Sequence, residues 1–249
     1  MIRLLTEPIL PKISNGSSFV GIKLAATLAA YQTKHSFFTV WIQWKNDLPT
    51  AWIAKLDETI FLVAEATAEF TELRNFFAAI GFESIQAEAS VIRRLGYPVR
   101  EVYSILRREQ EGNLPASPSP PPNLRLVYDI LFSEVNDALH QTPFDAWYVD
   151  LSHRIRHGTA LVTLVEQAAV AVASHIVGDS AVISGVATLP DRRGRGLASA
   201  ALEDVIRKCG VRNIFAAAKE ETIPFYLNNR FAQVGELAIH YANEGIKLC

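Results

Sequence analysis

The most restrictive stretch of this chain is Gly112 to Asn123, GNLPASPSPPPN, in which five of twelve residues are proline. Each proline fixes φ and removes an amide donor, so neither a helix nor a central strand can run through it. Two blocks are therefore expected, 1–114 and 123–249, joined by a semi-rigid spacer over 115–122. The alternative is an ordered surface loop within one domain. A length of 249 residues suits two modest domains, each able to bury a core.

Hydrophobic residues make up 49% of the chain and charged ones 20%, the balance of a soluble globular protein. A formal charge of −2 provides no overall field for nucleic acid or anionic lipid, so any polyanion must be held locally. Cys209 and Cys249 make no disulfide framework and no CxxC motif, which fits a reducing cytoplasm. Phe19 to Ala30 is the most apolar N-terminal stretch, but Lys23 interrupts it and no cleavage site follows a basic region. Ala168 to Leu189 contains His175 and Asp179 and alternates like strands instead of continuing as a membrane span. The expectation is a soluble, cytoplasmic α/β protein, monomer or homodimer, with no membrane partner.

Downstream of the spacer, Leu124 to Val127 reads as a short strand and Ile130 to Leu139 as a helix. A second helix is expected from Pro143 to just before Gly158. The period then changes: ALVTLVE, AAVAVASHIV, AVISGVATL and NIFAAA are short, β-branched or small, and bounded by polar turns, as strands are. After Gly196, Leu197, Ala201, Val205 and Cys209 fall on one helical face, with Glu203, Asp204, Arg207 and Lys208 opposite.

Between the third of those strands and that helix, Arg192 to Gly196 packs three arginines and two glycines into five residues. A strand that passes through a glycine turn into a helix aims unpaired N–H groups at one point, where the positive end of the helix dipole also lies. Gly194 and Gly196 can take positive φ and let a phosphate approach the main chain, and the arginines add charge. The stretch is neither GxxxxGK[ST] nor GxGxxG, because Ser199 stands where the last small residue of the second pattern belongs. One RGRG copy without interleaved aromatics, in a net acidic chain, does not make a nucleic-acid site. The bland alternative is a tight, solvated turn.

The wider context resembles the GCN5-related N-acetyltransferase (GNAT) superfamily, whose acetyl-CoA motif is Arg/Gln-x-x-Gly-x-Gly/Ala between a strand and a helix. Arg193, Gly196 and Ala198 fill those places, and Val186-Ala187-Thr188-Leu189-Pro190 looks like the preceding strand and its proline. Further on, IPFYLNNRF resembles the later helix of the family through Phe225-Tyr226 and Phe231. Arg230 replaces the usual glycine, and Lys219 stands where an asparagine usually ends the intervening strand. The likeness spans Leu124 to Tyr241. It implies a mixed central sheet flanked by helices, with acetyl-CoA as co-substrate held by Val186, Ala187, Thr188, Arg193, Gly194, Arg195, Gly196, Leu197 and Ala198. It also implies acetyl transfer to a small-molecule or peptide amine by direct attack, with Tyr226 as the acid for the departing thiolate. AVISGV offers only Ser184 as a polar group, so no base is assigned there; Glu166, Glu220 and Glu221 read as hairpin and helix-start residues. The alternative is a non-catalytic acyl-CoA sensor or interaction module with the same fold.

DAWYVDLSHRIRHG, Asp145 to Gly158, corresponds to a region that borders the acceptor cleft in that family. As a helix it places Trp147 on an apolar face and Asp150, His153 and His157 on a polar stripe. These four are the candidate acceptor-binding residues; the alternative is an exposed helix with an Asp150–Arg154 pair. HxxxH without a glutamate and a third ligand makes no zinc site, and His175 reads as structural, so no metal is expected. In the N-terminal block, NFFAAIGF, Asn75 to Phe82, echoes the later helix with Phe77 in place of the tyrosine. It is either a degenerate GNAT-like copy, catalytically silent, or a core helix ended by a glycine cap.

Overall fold

The computed structural model describes residues 1–6, 18–111, 122–133 and 142–242. The chain forms two compact units: unit 1 holds Met1–Leu106, Ala217–Pro224 and the chain from Gln233 on, and unit 2 holds Arg107–Ala216 and Phe225–Ala232. The units do not follow a single cut in the sequence, whereas 1–114 and 123–249 are expected to fold as blocks. Most of the spacer, 115–121, lies outside the described residues.

Unit 1 contains β1 (Ile2–Leu4), α1 (Phe19–Tyr31), β2 (Phe38–Lys45), β3 (Leu48–Leu56), β4 (Thr59–Ala64), α2 (Phe70–Ile80), β5 (Ser84–Glu88), α3 (Ala89–Leu95) and the start of β6 (Glu101–Glu109). Its strands run in the order β1-β2-β3-β4-β5, antiparallel except for the parallel pair β4–β5. The other edge of β5 is covered from the far end of the chain: β11 (Ala232–Tyr241) lies antiparallel to it, Leu237 opposite Glu88 and Tyr241 opposite Ser84. An uncovered β5 would carry a row of unpaired backbone groups, so the last strand completes the first unit. The apolar stretch Phe19 to Ala30 is α1, buried on nearly every side, as a helix without a polar face must be. Lys23 is accommodated there by donating to Gln86 Oε1 at 2.8 Å and lying 4.6 Å from the Phe61 ring. Among the described residues no helix is long and apolar enough to cross a membrane. The core of the unit centres on Ile53, Leu62, Leu73, Phe77, Ile85 and Ile92.

Unit 2 contains α4 (Leu124–Leu131), α5 (Phe144–Arg156), β7 (Leu161–Val165), β8 (Ala169–Val177), β9 (Ser180–Thr188), α6 (Leu197–Cys209), most of β10 (Asn213–Ala218) and most of α7 (Ile223–Asn228). The strand order is β7-β8-β9-β10, with β9–β10 parallel. Leu124 to Val127 is the first turn of α4 and not a strand. Asn123 Oδ1 accepts the amides of Arg125 and Leu126 at 3.0 and 3.3 Å, and Leu124, Val127, Tyr128 and Ile130 then share one buried face. The helix expected over 130–139 is not seen as such: α4 ends at Leu131, and 134–139 lie outside the described residues. The other expected elements are present, including α5 between Pro143 and Gly158.

The two halves repeat one order of elements: α1-β2-β3-β4-α2-β5-α3-β6 and α5-β7-β8-β9-α6-β10-α7-β11. This order moves the N-terminal echo. NFFAAIGF belongs to α2, the counterpart of α6, whereas the counterpart of α7 is α3 with Gly96 and Tyr97. There the Tyr97 N–H bonds Ile92 O at 3.3 Å, just as the Phe231 N–H bonds Tyr226 O at 3.1 Å. Ile92, and not Phe77, therefore holds the place of Tyr226. Phe77 is a fully buried core ring, which is why its flanking pattern imitated the other helix.

Candidate functional site

The arginine and glycine turn joins β9 to α6 through a short 3-10 turn, Pro190–Arg192. The Arg192 N–H bonds Leu189 O at 2.9 Å, and Arg193 Nε bonds Thr188 O at 3.2 Å, which folds the chain back on the strand end. Gly194 and Gly196 have φ of 73° and 77°, a region that costs other residues about 1–2 kcal/mol. A Cβ at either position would meet nothing within 4 Å, so both glycines face open space. From Gly194 to Ser199 no amide donates to another group among the described residues; the first helical bond is Ala200 N–H to Gly196 O at 3.0 Å. Gly196, the N-cap, has no side chain to use any of them, and the first turn of α6 carries no acid. The result is a row of bare donors at the positive end of a thirteen-residue helix.

The helix itself is held firmly. Leu202, Val205 and Ile206 are buried, and Thr163 Oγ1 donates to Ala201 O at 3.0 Å. Arg193 is turned to the strand, whereas Arg195 is half-exposed and 3.8 Å from Glu166, which sits in the β7–β8 hairpin as expected. A loose surface pair of this kind leaves the guanidinium available to an anion.

β9 outlasts its parallel partner. Its pairing with β10 covers Ser180 to Ile183 opposite Asn213 to Ala216, yet β9 runs on to Thr188. The Leu189 N–H points to β8, where it bonds Ala168 O at 2.9 Å, so strand alternation directs the amides of Val186 and Thr188 to the side that β10 has left. Thr188 Oγ1 is buried without a hydrogen-bond partner among the described residues, a costly state for a hydroxyl.

Tyr226, in α7, is 8% exposed and packs edge-on against Phe225 and Phe231, with ring centroids 5.2 and 5.3 Å away. Burial pushes its hydroxyl up to about 12. That hydroxyl donates to no protein group among the described residues. The chain leaves α7 through Arg230, at φ 66°, the position where the resembling family carries glycine. Lys219 caps the 3-10 turn Glu220–Thr222 through its carbonyl, which accepts Thr222 N–H at 2.9 Å, while its ammonium lies 5.6 Å from the Tyr103 ring.

On α5 the four candidate acceptor residues have distinct surroundings. Trp147 packs on Tyr128 at 5.3 Å and against the core of the unit. Asp150 accepts bonds from Arg154 Nε at 2.9 and 3.0 Å, and Arg154 is only 3% exposed. His153 and His157 place their rings 4.2 Å apart, and His157 Nδ1 donates to His153 O at 2.9 Å. No group of three metal-ligating side chains occurs among the described residues, and His175 bonds Ser174 Oγ at 2.6 Å. The residue that sequence reasoning missed is Arg108, buried in β6 and bonded to Glu203 of α6. Its one signal is a second consecutive arginine in the strand pattern EVYSILRRE, at the same parity as buried Leu106.

Residues 124–229 match the model of the acetyltransferase (GNAT) family. A GCN5-related N-acetyltransferase from Sphaerobacter thermophilus superposes with a TM-score of 0.59 at 14% identity, over 92% of this chain and 87% of that one. A tandem GNAT protein from the clavulanic acid biosynthesis pathway gives 0.55 at 14% identity, over 98% and 99%. A GCN5-related N-acetyltransferase from Kribbella flavida gives 0.51 at 13%, over 79% and 88%. Identities this low carry the fold alone, and a search of curated sequences found no matching relative. The glycine turn and Tyr226 both lie within the segment that the family model covers.

Proposed function

We propose that this chain, which carries a GNAT acetyltransferase domain over residues 124–229, transfers an acetyl group from acetyl-CoA to a small-molecule or peptide amine by direct attack. The observation that carries this reading is the run of amides from Gly194 to Ser199 that no group among the described residues uses, with two positive-φ glycines leading into the body of α6. Those amides suit the diphosphate of coenzyme A, with Arg193 and Arg195 adding charge. The thioester arm then follows β9, where Val186, Ala187 and Thr188 present main-chain groups beyond the end of the β9–β10 ladder. An N–H on that side is available to the oxyanion as the amine attacks the carbonyl carbon.

In the reaction an N–C bond forms, the C–S bond breaks, and the amine gives up a proton. β9 supplies no carboxylate for that proton, so water takes it, or the His153–His157 pair relays it. Asp150, paired with Arg154, and Trp147, packed on Tyr128, border the acceptor side in this reading. Tyr226 is assigned to the sulfur. With its hydroxyl near 12 and a thiol near 8.5, full transfer to the thiolate is uphill by roughly 5 kcal/mol, so Tyr226 acts as a hydrogen-bond donor that stays protonated through neutral and mildly alkaline pH.

Calorimetry with acetyl-CoA tests the binding half. Gly196→Asp sets a carboxylate among the donors at a strained φ and is expected to weaken binding at least about a hundredfold; undiminished affinity refutes the site. An amine panel tests the chemistry: wild type acetylates at least one member, and Tyr226→Phe lowers kcat by about tenfold to a hundredfold. Tight acetyl-CoA binding with no acetylation of any amine points instead to an acyl-CoA sensor.

A further inference from the structure

Arg108 lies near the end of β6, within unit 2, and is 7% exposed, a rare place for an arginine. Its Nη2 donates to Glu203 Oε2 at 3.0 Å and its Nη1 to Glu203 Oε1, the two-pronged geometry that a guanidinium makes with a carboxylate. Nη1 also donates to Asn229 O at 3.3 Å. Glu203 stands seven residues after Gly196 on α6, so its carboxylate anchors the guanidinium to the helix whose first turn is the proposed diphosphate site. Asn229 follows the last residue of α7, and its carbonyl is one of those a helix end leaves without a partner. Tyr226, three residues earlier, touches Phe225 and Phe231 through its ring and has no bond at its hydroxyl among the described residues. Where that hydroxyl points is therefore set by where the last turn of α7 sits.

We propose that Arg108 is a positioning residue that ties the end of α7 to α6 and so fixes the Tyr226 hydroxyl relative to the proposed cofactor site. The proposal rests on the acetyl-transfer reading above. It places a needed residue outside 124–229, on a strand from the N-terminal half of the chain. The hydrogen bond from Arg108 also holds the Glu203 carboxyl below the usual carboxylate range, so both partners are charged at neutral pH.

The test is a double-mutant cycle on the full chain, since only residues acting through one another give non-additive losses. Arg108→Lys keeps the charge and loses the fork. The expected result is an acetyl-CoA Kd within about twofold of wild type, kcat lower by about tenfold, and a double variant with Tyr226→Phe no slower than Tyr226→Phe alone. Independent losses that multiply overturn the assignment. If Arg108→Lys does not fold, Glu203→Gln, at the half-exposed partner, runs the same cycle with the same expected pattern. A wild type that acetylates and a Tyr226→Phe that is slow, combined with multiplying losses, remove Arg108 alone. A wild type without transfer removes the acetyl-transfer reading and Arg108 with it, whereas an active wild type with a Tyr226→Phe without effect removes the roles of Tyr226 and Arg108 and leaves acetyl transfer standing.

Discussion

The junction β9–α6 in unit 2 and the junction β4–α2 in unit 1 occupy the same place in the repeated element order, and they differ in the amides just before the helix and in the charge beside it. After β9, two glycines and three arginines lead into α6, and the amides from Gly194 to Ser199 meet no acceptor among the described residues. After β4 comes Glu65-Ala66-Thr67-Ala68-Glu69, without a glycine. There the Ala68 N–H bonds Glu65 O at 3.1 Å and the Glu69 N–H bonds Gln43 Oε1 at 2.9 Å. Gln43 is fully buried; its Nε2 donates to Glu69 O and Glu72 Oε2 at 3.0 and 2.8 Å, and its Oε1 also accepts Thr50 Oγ1 at 3.0 Å. Glu69 and Glu72 add negative charge where a diphosphate would have to approach. One strand-to-helix frame thus leaves its last loop amides open in unit 2 and ties two of them into the protein, beside acidic side chains, in unit 1. The second contrast follows the same line: Ile92 holds the place of Tyr226, so unit 1 has no hydroxyl there.

The largest test of this contrast is on Gln43. Gln43→Ala leaves the Glu69 amide without its buried acceptor and removes one of the two acceptors of the Thr50 hydroxyl, and is expected to lower stability by about 2–3 kcal/mol, read from a denaturant titration. Calorimetry on the same variant should still return one acetyl-CoA per chain; a second bound equivalent would show that the N-terminal corner was blocked by Gln43 alone. A smaller effect separates stability from binding at Thr188. Thr188→Val removes a buried, unsatisfied hydroxyl and is expected to stabilise the ligand-free protein by about 1 kcal/mol while weakening acetyl-CoA a few-fold. Loss of both, or gain of both, breaks the link between the orphan hydroxyl and the ligand. The smallest concerns the turn after each later helix, where unit 1 has Gly96 at φ 73° and unit 2 has Arg230 at φ 66°. Arg230→Gly relieves left-handed strain and should raise stability by at most about 1 kcal/mol, since glycine loses more chain entropy on folding. A melting temperature that falls would mean the Arg230 side chain supports the fold in another way.

Much of this is legible in the sequence alone. The strands of unit 2, the bounds of α5 and the strand–turn–helix around Gly194 and Gly196 follow from local chemistry: alternation, caps and the φ that only glycine adopts cheaply. Leu124 to Val127 was misread because four apolar residues have no period of their own; the cap from Asn123 and the burial of Tyr128 and Ile130 decide for helix. NFFAAIGF misled for a related reason, since an aromatic pair before a glycine serves equally well as a core face in α2. The α5 reading divided: its helix was visible, but the capture of Asp150 by a buried Arg154 depends on what covers the arginine.

By itself the sequence determined where the backbone could bend to the left, where donors would be exposed at a helix start, and which stretches were periodic enough to be strands, because these depend on neighbours within a few residues. The tertiary structure alone decided which exposed amides stay open, that β11 serves β5 across the length of the chain, and that Arg108 reaches Glu203 and Asn229. Those outcomes depend on pairings between residues about a hundred or more positions apart, and such pairings are set by the packing of whole elements and leave no local pattern to read.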